Sequence, residues 1–316
     1  MPSDHLSPWA TAWQRWNALP PTTRAVIMTL IDNVGMSVMV TLLKLLGSTY
    51  DSMLLAFFRS VIGLAIFMPL LAGYGWSLVR TNRPLMHVLR VGFGASSMLC
   101  GFYAVTVLPL AESTALNFTR PLFMMVLAVI FLGELVGWRR WTAATVGFLG
   151  MLIMVQPGGA EFHPAMLVSL LGSCLGCGTV VVVKKLSRTD TTASLMFSAS
   201  VVTTVITAVP AYFVWKTPTL IDLPIILIMG ALGTCTQFLF LRAYSLANAA
   251  VLAPIDYSRL LFAIVLGYAV FGDLPAEATL IGAAIVASAT LYIVRREARL
   301  KREAATAPPA PTQEPR

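Results

Sequence analysis

Charge is what this chain has least of. Of its 316 residues only 11% are Asp, Glu, Lys or Arg, while 57% are hydrophobic and the mean hydropathy is +0.79. A soluble globular domain carries about 25% charged residues, so these are too few to cover a water-facing surface, and the chain belongs in a bilayer. Histidine and cysteine are scarce as well. His5, His87 and His163 are scattered, and Cys174 and Cys177 form a CxxC inside an apolar run with no second pair and no histidine nearby. A zinc site needs four ligands, or three and a water, so no metal centre or catalytic triad is expected and the two cysteines read as helix packing. There is no GxxxxGK[ST], which excludes ATP hydrolysis at a P-loop, and no cofactor is implied. The net charge of +8 does not point to nucleic acid, because the basic residues lie in short loops and at the tail instead of forming a patch on a folded domain.

What the chain does have is long apolar runs. Ten stretches reach the roughly 20 residues that a spanning helix needs, at approximately 25–46, 52–72, 85–108, 111–133, 140–156, 164–185, 191–215, 222–246, 250–272 and 277–295. The expectation is an all-α integral membrane protein with ten transmembrane helices. With an even number of spans both termini share a side, and that side would hold Arg15, Arg24, Arg80, Arg83, Arg139, Arg140, Lys184, Lys185, Arg188 and the tail RREARLKRE. The opposite loops offer essentially Lys216. By the positive-inside rule both termini are cytoplasmic. Residues 1–23 form a cytoplasmic or interfacial segment in which Trp9, Trp13 and Trp16 share one helical face, suited to the headgroup region, with a partner-binding helix as the other reading. No apolar region with a small-residue cleavage site precedes the first span, so no cleaved signal peptide is expected. Residues 297–316, ending AATAPPAPTQEPR, read as a disordered cytoplasmic tail.

The chain also repeats itself. A shift of 139 positions lays Glu134 on Asp273 and Arg120 on Arg259, and NFTRPLFMMVLAVIFLGEL falls on DYSRLLFAIVLGYAVFGDL. Asp51 falls on Asp190 and Phe58 on Phe197, whereas Lys44 misses Lys184 by one residue, so a small gap sits there. Each half, 24–156 and 164–296, holds five spans. Five is odd, so the second half enters the membrane from the opposite side, and such inverted repeats mark transporters whose site lies near the midplane between the halves.

The paired stretches FYAVTVLPLAESTALNFTRPLFMMVLAVIFLGE and RAYSLANAAVLAPIDYSRLLFAIVLGYAVFGDLP resemble the drug/metabolite transporter superfamily, in particular its ten-helix EamA-type members. The resemblance covers roughly 24–296, with Asp273 standing where that family more often has glutamate. It implies a secondary carrier moving a small organic metabolite by alternating access, and similar stretches occur in bacterial riboflavin and S-adenosylmethionine carriers of the superfamily. Localisation in a bacterial inner membrane follows from it.

Arg120 and Arg259 each lie about nine residues into a span, near mid-bilayer. An arginine there costs about 2.5–3.5 kcal/mol on insertion scales. Each has a polar residue three positions earlier on the same helix face, Asn117 and Asp256. The expected substrate site is Asn117, Phe118, Arg120, Asp256, Tyr257 and Arg259, with Asp32 and Asp256 as candidate proton carriers. In the competing reading Asp256 and Arg259 neutralise each other within one helix while Arg120 bonds a neighbouring carbonyl. Asp32 has an alternative role as the partner of a mid-membrane arginine, for which Arg59 is a candidate. Arg90 reads as interfacial, and Gln237, Tyr103 and Tyr244 as bonding either ligand or a neighbouring helix. Pro121 and Pro254, close to the two arginines, each free a backbone carbonyl. Small residues at Gly172-xxx-Gly176, Gly92-xxx-Ser96 and Ser97-xxx-Gly101 are expected to bring helices together. The expected partners are a small organic solute and membrane lipids, with a homodimer left open. The alternatives are a membrane-embedded enzyme, which would need a polar catalytic cluster at an interface, or a non-transporting membrane subunit.

Overall fold

The computed structural model describes residues 16, 18–72, 83–133, 137–157, 159, 162–186, 192–247 and 249–306. Trp9, Trp13, Glu134, Arg188 and the tail from 307 lie outside the described residues, as do the side chains of Lys184 and Lys185. Among the described residues the fold is all helical: α1 Pro21–Leu46, α2 Ser52–Ala72, α3 Pro84–Val107, α4 Leu110–Asn117, α5 Arg120–Leu132, α6 Trp138–Val155, α7 Pro164–Leu186, α8 Thr192–Phe213, α9 Asp222–Leu246, α10 Ala249–Asp256, α11 Ser258–Phe271 and α12 Glu277–Thr306. Among the described residues six helical segments are long and apolar enough to cross a membrane, and four shorter apolar helices occupy the remaining expected spans. Their outward faces are apolar, as lipid requires: Leu85 is 72% exposed, Ile130 65% and Val265 63%.

Packing runs between the halves more than within them. The helix α1 packs on α9 and its repeat counterpart α7 packs on α3. In the same way α1 contacts α11 while α7 contacts α5, α2 contacts α9 while α8 contacts α3, and the self-related pairs α2–α8 and α6–α12 meet each other. This is a pseudo-twofold arrangement of two inverted five-span halves. Small residues make it possible. A Cβ on Gly172 would stand 2.8 Å from Cys100 Cβ and one on Gly176 2.9 Å from Ser97 Oγ, so the GxxxG of α7 seats the Ser97-xxx-Gly101 edge of α3. Ser97 Oγ then donates to the Gly172 carbonyl at 2.7 Å. Gly92 has nothing within 4 Å, so Gly92-xxx-Ser96 is not such a contact.

The structure locates the breaks in the two proline-bearing spans and corrects one expectation. The fourth and ninth spans are broken, at Phe118–Thr119 and at Tyr257, positions that coincide under the 139-residue shift. Pro121 lacks the N–H that would bond the Asn117 carbonyl, and the chain tightens into i→i−3 bonds, Phe118 N to Ala115 O at 3.0 Å and Thr119 N to Leu116 O at 3.2 Å. At the second break Asn33 Nδ2 captures the Ile255 carbonyl at 2.9 Å, and Leu260 N turns to Tyr257 O at 3.1 Å. The correction concerns residues 297–316, expected as a disordered tail: α12 continues past the expected span end at 295 to Thr306. Its extension EARLKREAAT consists mostly of strong helix formers.

Candidate functional site

The two breaks face one cavity of about 710 Å³. Its wall holds all six residues of the expected site: Asn117, Phe118 and Arg120 from the first broken span, and Asp256, Tyr257 and Arg259 from the second. A volume in the 300–1,000 Å³ range suits a metabolite-sized molecule. Phe118 and Tyr257, equivalent in the repeat, meet edge to face with ring centroids 4.6 Å apart and planes at 76°. Asn117 is held in place: its Nδ2 donates to Ser113 O at 2.8 Å, and Ser173 Oγ donates to its Oδ1 at 3.4 Å.

The two arginines are equivalent in sequence but not in surroundings. Arg259 donates from Nη2 to Asp32 Oδ2 at 3.1 Å and to Asn33 Oδ1 at 3.1 Å. Asp32 lies behind the cavity wall, its side chain 3% exposed. It is thus the partner of Arg259, not of Arg59, and among the described residues no ion pair joins Asp256 to Arg259. Instead Tyr244 Oη donates to Asp256 Oδ2, while Asp256 Oδ1 is buried with no hydrogen bond among the described residues. Arg120 has no ion-pair or hydrogen-bond partner for its guanidinium among the described residues. The group is exposed to the cavity, with Cζ 3.9 Å from where a Cβ on Gly176 would stand. Its own backbone carbonyl, not that of a neighbour, is the group engaged, accepting from Cys177 Sγ at 3.2 Å.

Several cavity residues lie outside the expected six. Arg90, expected at an interface, lines the cavity, because α3 begins at Pro84 and Arg90 lies nearly two turns inside it. Arg59, Thr203 and Gln237 line it too, and so does Tyr244, whereas Tyr103 does not. Arg59, Arg90 and Gln237 are ionisable or polar residues within apolar runs, and that was the signal available. Among the described residues no group of three His, Cys, Asp or Glu side chains could hold a metal, and the four cysteines are free thiols.

Apolar helices enclosing a solute-sized chamber, with arginines and a carboxylate in its wall, between two inverted halves define a multi-pass membrane protein of the transporter class. The chain belongs to the EamA-like transporter family, whose profile matches residues 23–156 and again 164–295. It is 34% identical over 257 residues to an S-adenosylmethionine uptake transporter of Rickettsia bellii, covering 80% of this chain and 87% of that one. It is 31% identical over 259 residues to a riboflavin transporter of Brucella anthropi, covering 80% and 91%. With the pseudopaline exporter CntI of Pseudomonas aeruginosa it shares 27% over 275 residues, covering 85% and 95%. A solved crystal structure 16% identical to it superimposes over 88% of this chain and 97% of that chain with a TM-score of 0.56, a likeness of fold alone.

Proposed function

We propose that this chain is a secondary active transporter, not an enzyme, that carries a small organic metabolite across a bacterial plasma membrane by rocking the halves 24–156 and 164–296 about the central cavity. Both termini, 1–23 and 297–316, would lie in the cytoplasm, as the lysine and arginine bias favours. The substrate site comprises Asn117, Phe118, Arg120, Asp256, Tyr257 and Arg259. The observation that carries this reading is the guanidinium of Arg120, facing a chamber of about 710 Å³ without a protein partner among the described residues. Intramembrane charge of this kind is functional by default, and here it offers donors to an acceptor group of the solute.

The substrate class supported best is a zwitterionic, amino-acid-derived solute of the S-adenosylmethionine type. The half-satisfied carboxylate of Asp256, beside the Phe118–Tyr257 pair, suits a cationic centre, since aromatic faces and a carboxylate both attract positive charge. Asp256, with an unbonded oxygen, and Asp32, released from Arg259 in another state, are the candidate sites for a coupled proton. The test is saturable uptake of labelled S-adenosylmethionine into vesicles holding only this protein, with riboflavin as competitor. Uptake that riboflavin does not inhibit supports the reading, competition by riboflavin moves the substrate to that class, and no uptake of either rejects both.

A further inference from the structure

The cavity has a second cationic wall that the repeat does not anticipate. Arg59 of α2 reaches it where α2, α8 and α9 meet, and its acceptors are poor. Nη1 points to the thioether sulfur of Met98 at 3.3 Å, Nη2 to the Gly233 carbonyl at 3.4 Å, and Nε is buried with no hydrogen bond among the described residues. The Phe102 ring lies 6.0 Å away on another side. No carboxylate pairs with Arg59 among the described residues, in contrast to Arg259, which Asp32 neutralises. Adjoining Arg59 is a side pocket of about 110 Å³, into which Thr203 and Gln237 also project from the main cavity wall. That volume is too small for a whole metabolite and large enough for one carboxylate. A guanidinium, an amide and a hydroxyl at one corner form the fork of donors that a carboxylate accepts.

The repeat separates this group from the architecture. Arg120 and Arg259 recur in both halves, but Arg59 falls on Ser198 under the same 139-residue shift. A guanidinium at this depth costs about 2.5–3.5 kcal/mol, and the fold manages without one at the equivalent position. We propose that Arg59, with Gln237 and Thr203, is an anion subsite that receives the carboxylate of the transported solute, apart from the Arg120–Arg259 centre. The proposal rests on the carrier reading above and narrows it to solutes with a carboxylate set off from the part that occupies the main chamber.

The experiment uses the purified full-length chain in detergent, as wild type, Arg59→Met, Arg59→Lys and Arg120→Met, each first shown to be monodisperse with an unchanged melting temperature in chloride. Sodium acetate and sodium phosphate are titrated against chloride at matched ionic strength. Stabilisation of wild type and Arg120→Met, lost in Arg59→Met and partly kept in Arg59→Lys, is the expected result. Equal behaviour of wild type and Arg59→Met, or a loss confined to Arg120→Met, overturns the subsite. Phosphatidylglycerol supplies the other source of anion: if it alone stabilises in an Arg59-dependent way, the corner is a lipid site and the proposal falls. A second arm compares S-adenosylmethionine with its methyl ester. Wild type should prefer the acid by about tenfold or more, and Arg59→Met should show no preference; a preference that survives the substitution overturns the subsite. If wild type binds neither compound while the anion arm still depends on Arg59, the S-adenosylmethionine reading fails and the subsite stands.

Discussion

The carboxylate of Asp32 in α1 accepts a hydrogen bond from Nη2 of Arg259 in α11 at 3.1 Å, tying the first span of one half to the broken span of the other. The repeat explains why Arg120 has no such tie. In this part of the chain the gap makes the shift 140, as Lys44 and Lys184 show, and Asp32 then falls on Gly172 and Asn33 on Ser173. One arginine is anchored by a carboxylate, and the position equivalent to that carboxylate in the other half is a glycine.

Asp32→Asn should therefore lower stability by about 1–3 kcal/mol. A fully buried pair broken on one side loses about 3–5 kcal/mol, and the Arg259 side chain, 29% exposed to the cavity, retains some solvation. Chemical unfolding of Asp32→Asn, Arg259→Met and the double variant checks this. The double variant should lose less than the sum of the single losses by about 0.5 kcal/mol or more, whereas strict additivity would mean the contact contributes nothing.

Arg120→Met should behave differently. With no guanidinium partner among the described residues to strand, its stability should stay within about 0.5 kcal/mol of wild type, while affinity for the transported solute drops about tenfold or more through loss of a charge-assisted hydrogen bond. Thermal unfolding and ligand titration on the same sample separate the two effects. A variant that unfolds early and binds normally would reverse this assignment.

Lys44 pairs with Asp273 at the end of the bundle where α4 packs on α11. The repeat counterpart of that packing, α5 with α10, makes no comparable contact among the described residues, so the bundle is closed on the Lys44 side. Asp273→Asn weakens that closure. Loss of about 1 kcal/mol multiplies the open population roughly fivefold. The readout is the rate at which an impermeant maleimide, applied from the Lys44 side, labels a cysteine placed at Ala263 in a cysteine-free background. An unchanged rate would mean that the pair does not hold the gate.

Gly282 and Gly92 make a stability contrast. A Cβ on Gly282 would stand 2.5 Å from both the Gly150 carbonyl oxygen and Met154 Cγ, so α12 touches the backbone of α6. Gly282→Ala should destabilise by about 1–3 kcal/mol through overpacking. Gly92→Ala, in open space, should be neutral or stabilising by up to about 1 kcal/mol through helix propensity. Comparable losses in both variants would contradict the close α6–α12 approach.

Much of the candidate site was legible in one dimension because it repeats. Arg120 and Arg259, with Asn117 and Asp256 one turn earlier and Phe118 and Tyr257 between, stand out as polar or aromatic positions matched by a single shift, and all of them line the cavity. Arg59, Gln237 and Tyr244 carried no such mark. In a soluble helix the polar face reveals the buried one, but in a membrane helix the lipid-facing and core-facing sides are both apolar, so the 3.6-residue period says little about orientation. For the same reason the partner of Asp32 is not readable in one dimension: the sequence offers Arg59, and the packing of α1 on α9, α10 and α11 brings Arg259 instead.

By itself the sequence determined the solvent, the number of spans, the inverted repeat and the pair of intramembrane arginines, because hydropathy, span length and self-similarity are properties of the linear chain. Only the tertiary structure decided which arginine is neutralised, which is left facing the chamber, and that Arg59 and Arg90 join them in its wall. Those outcomes depend on which helix faces meet, and that is set by small-residue contacts such as Gly172 on Cys100, made between residues more than seventy positions apart.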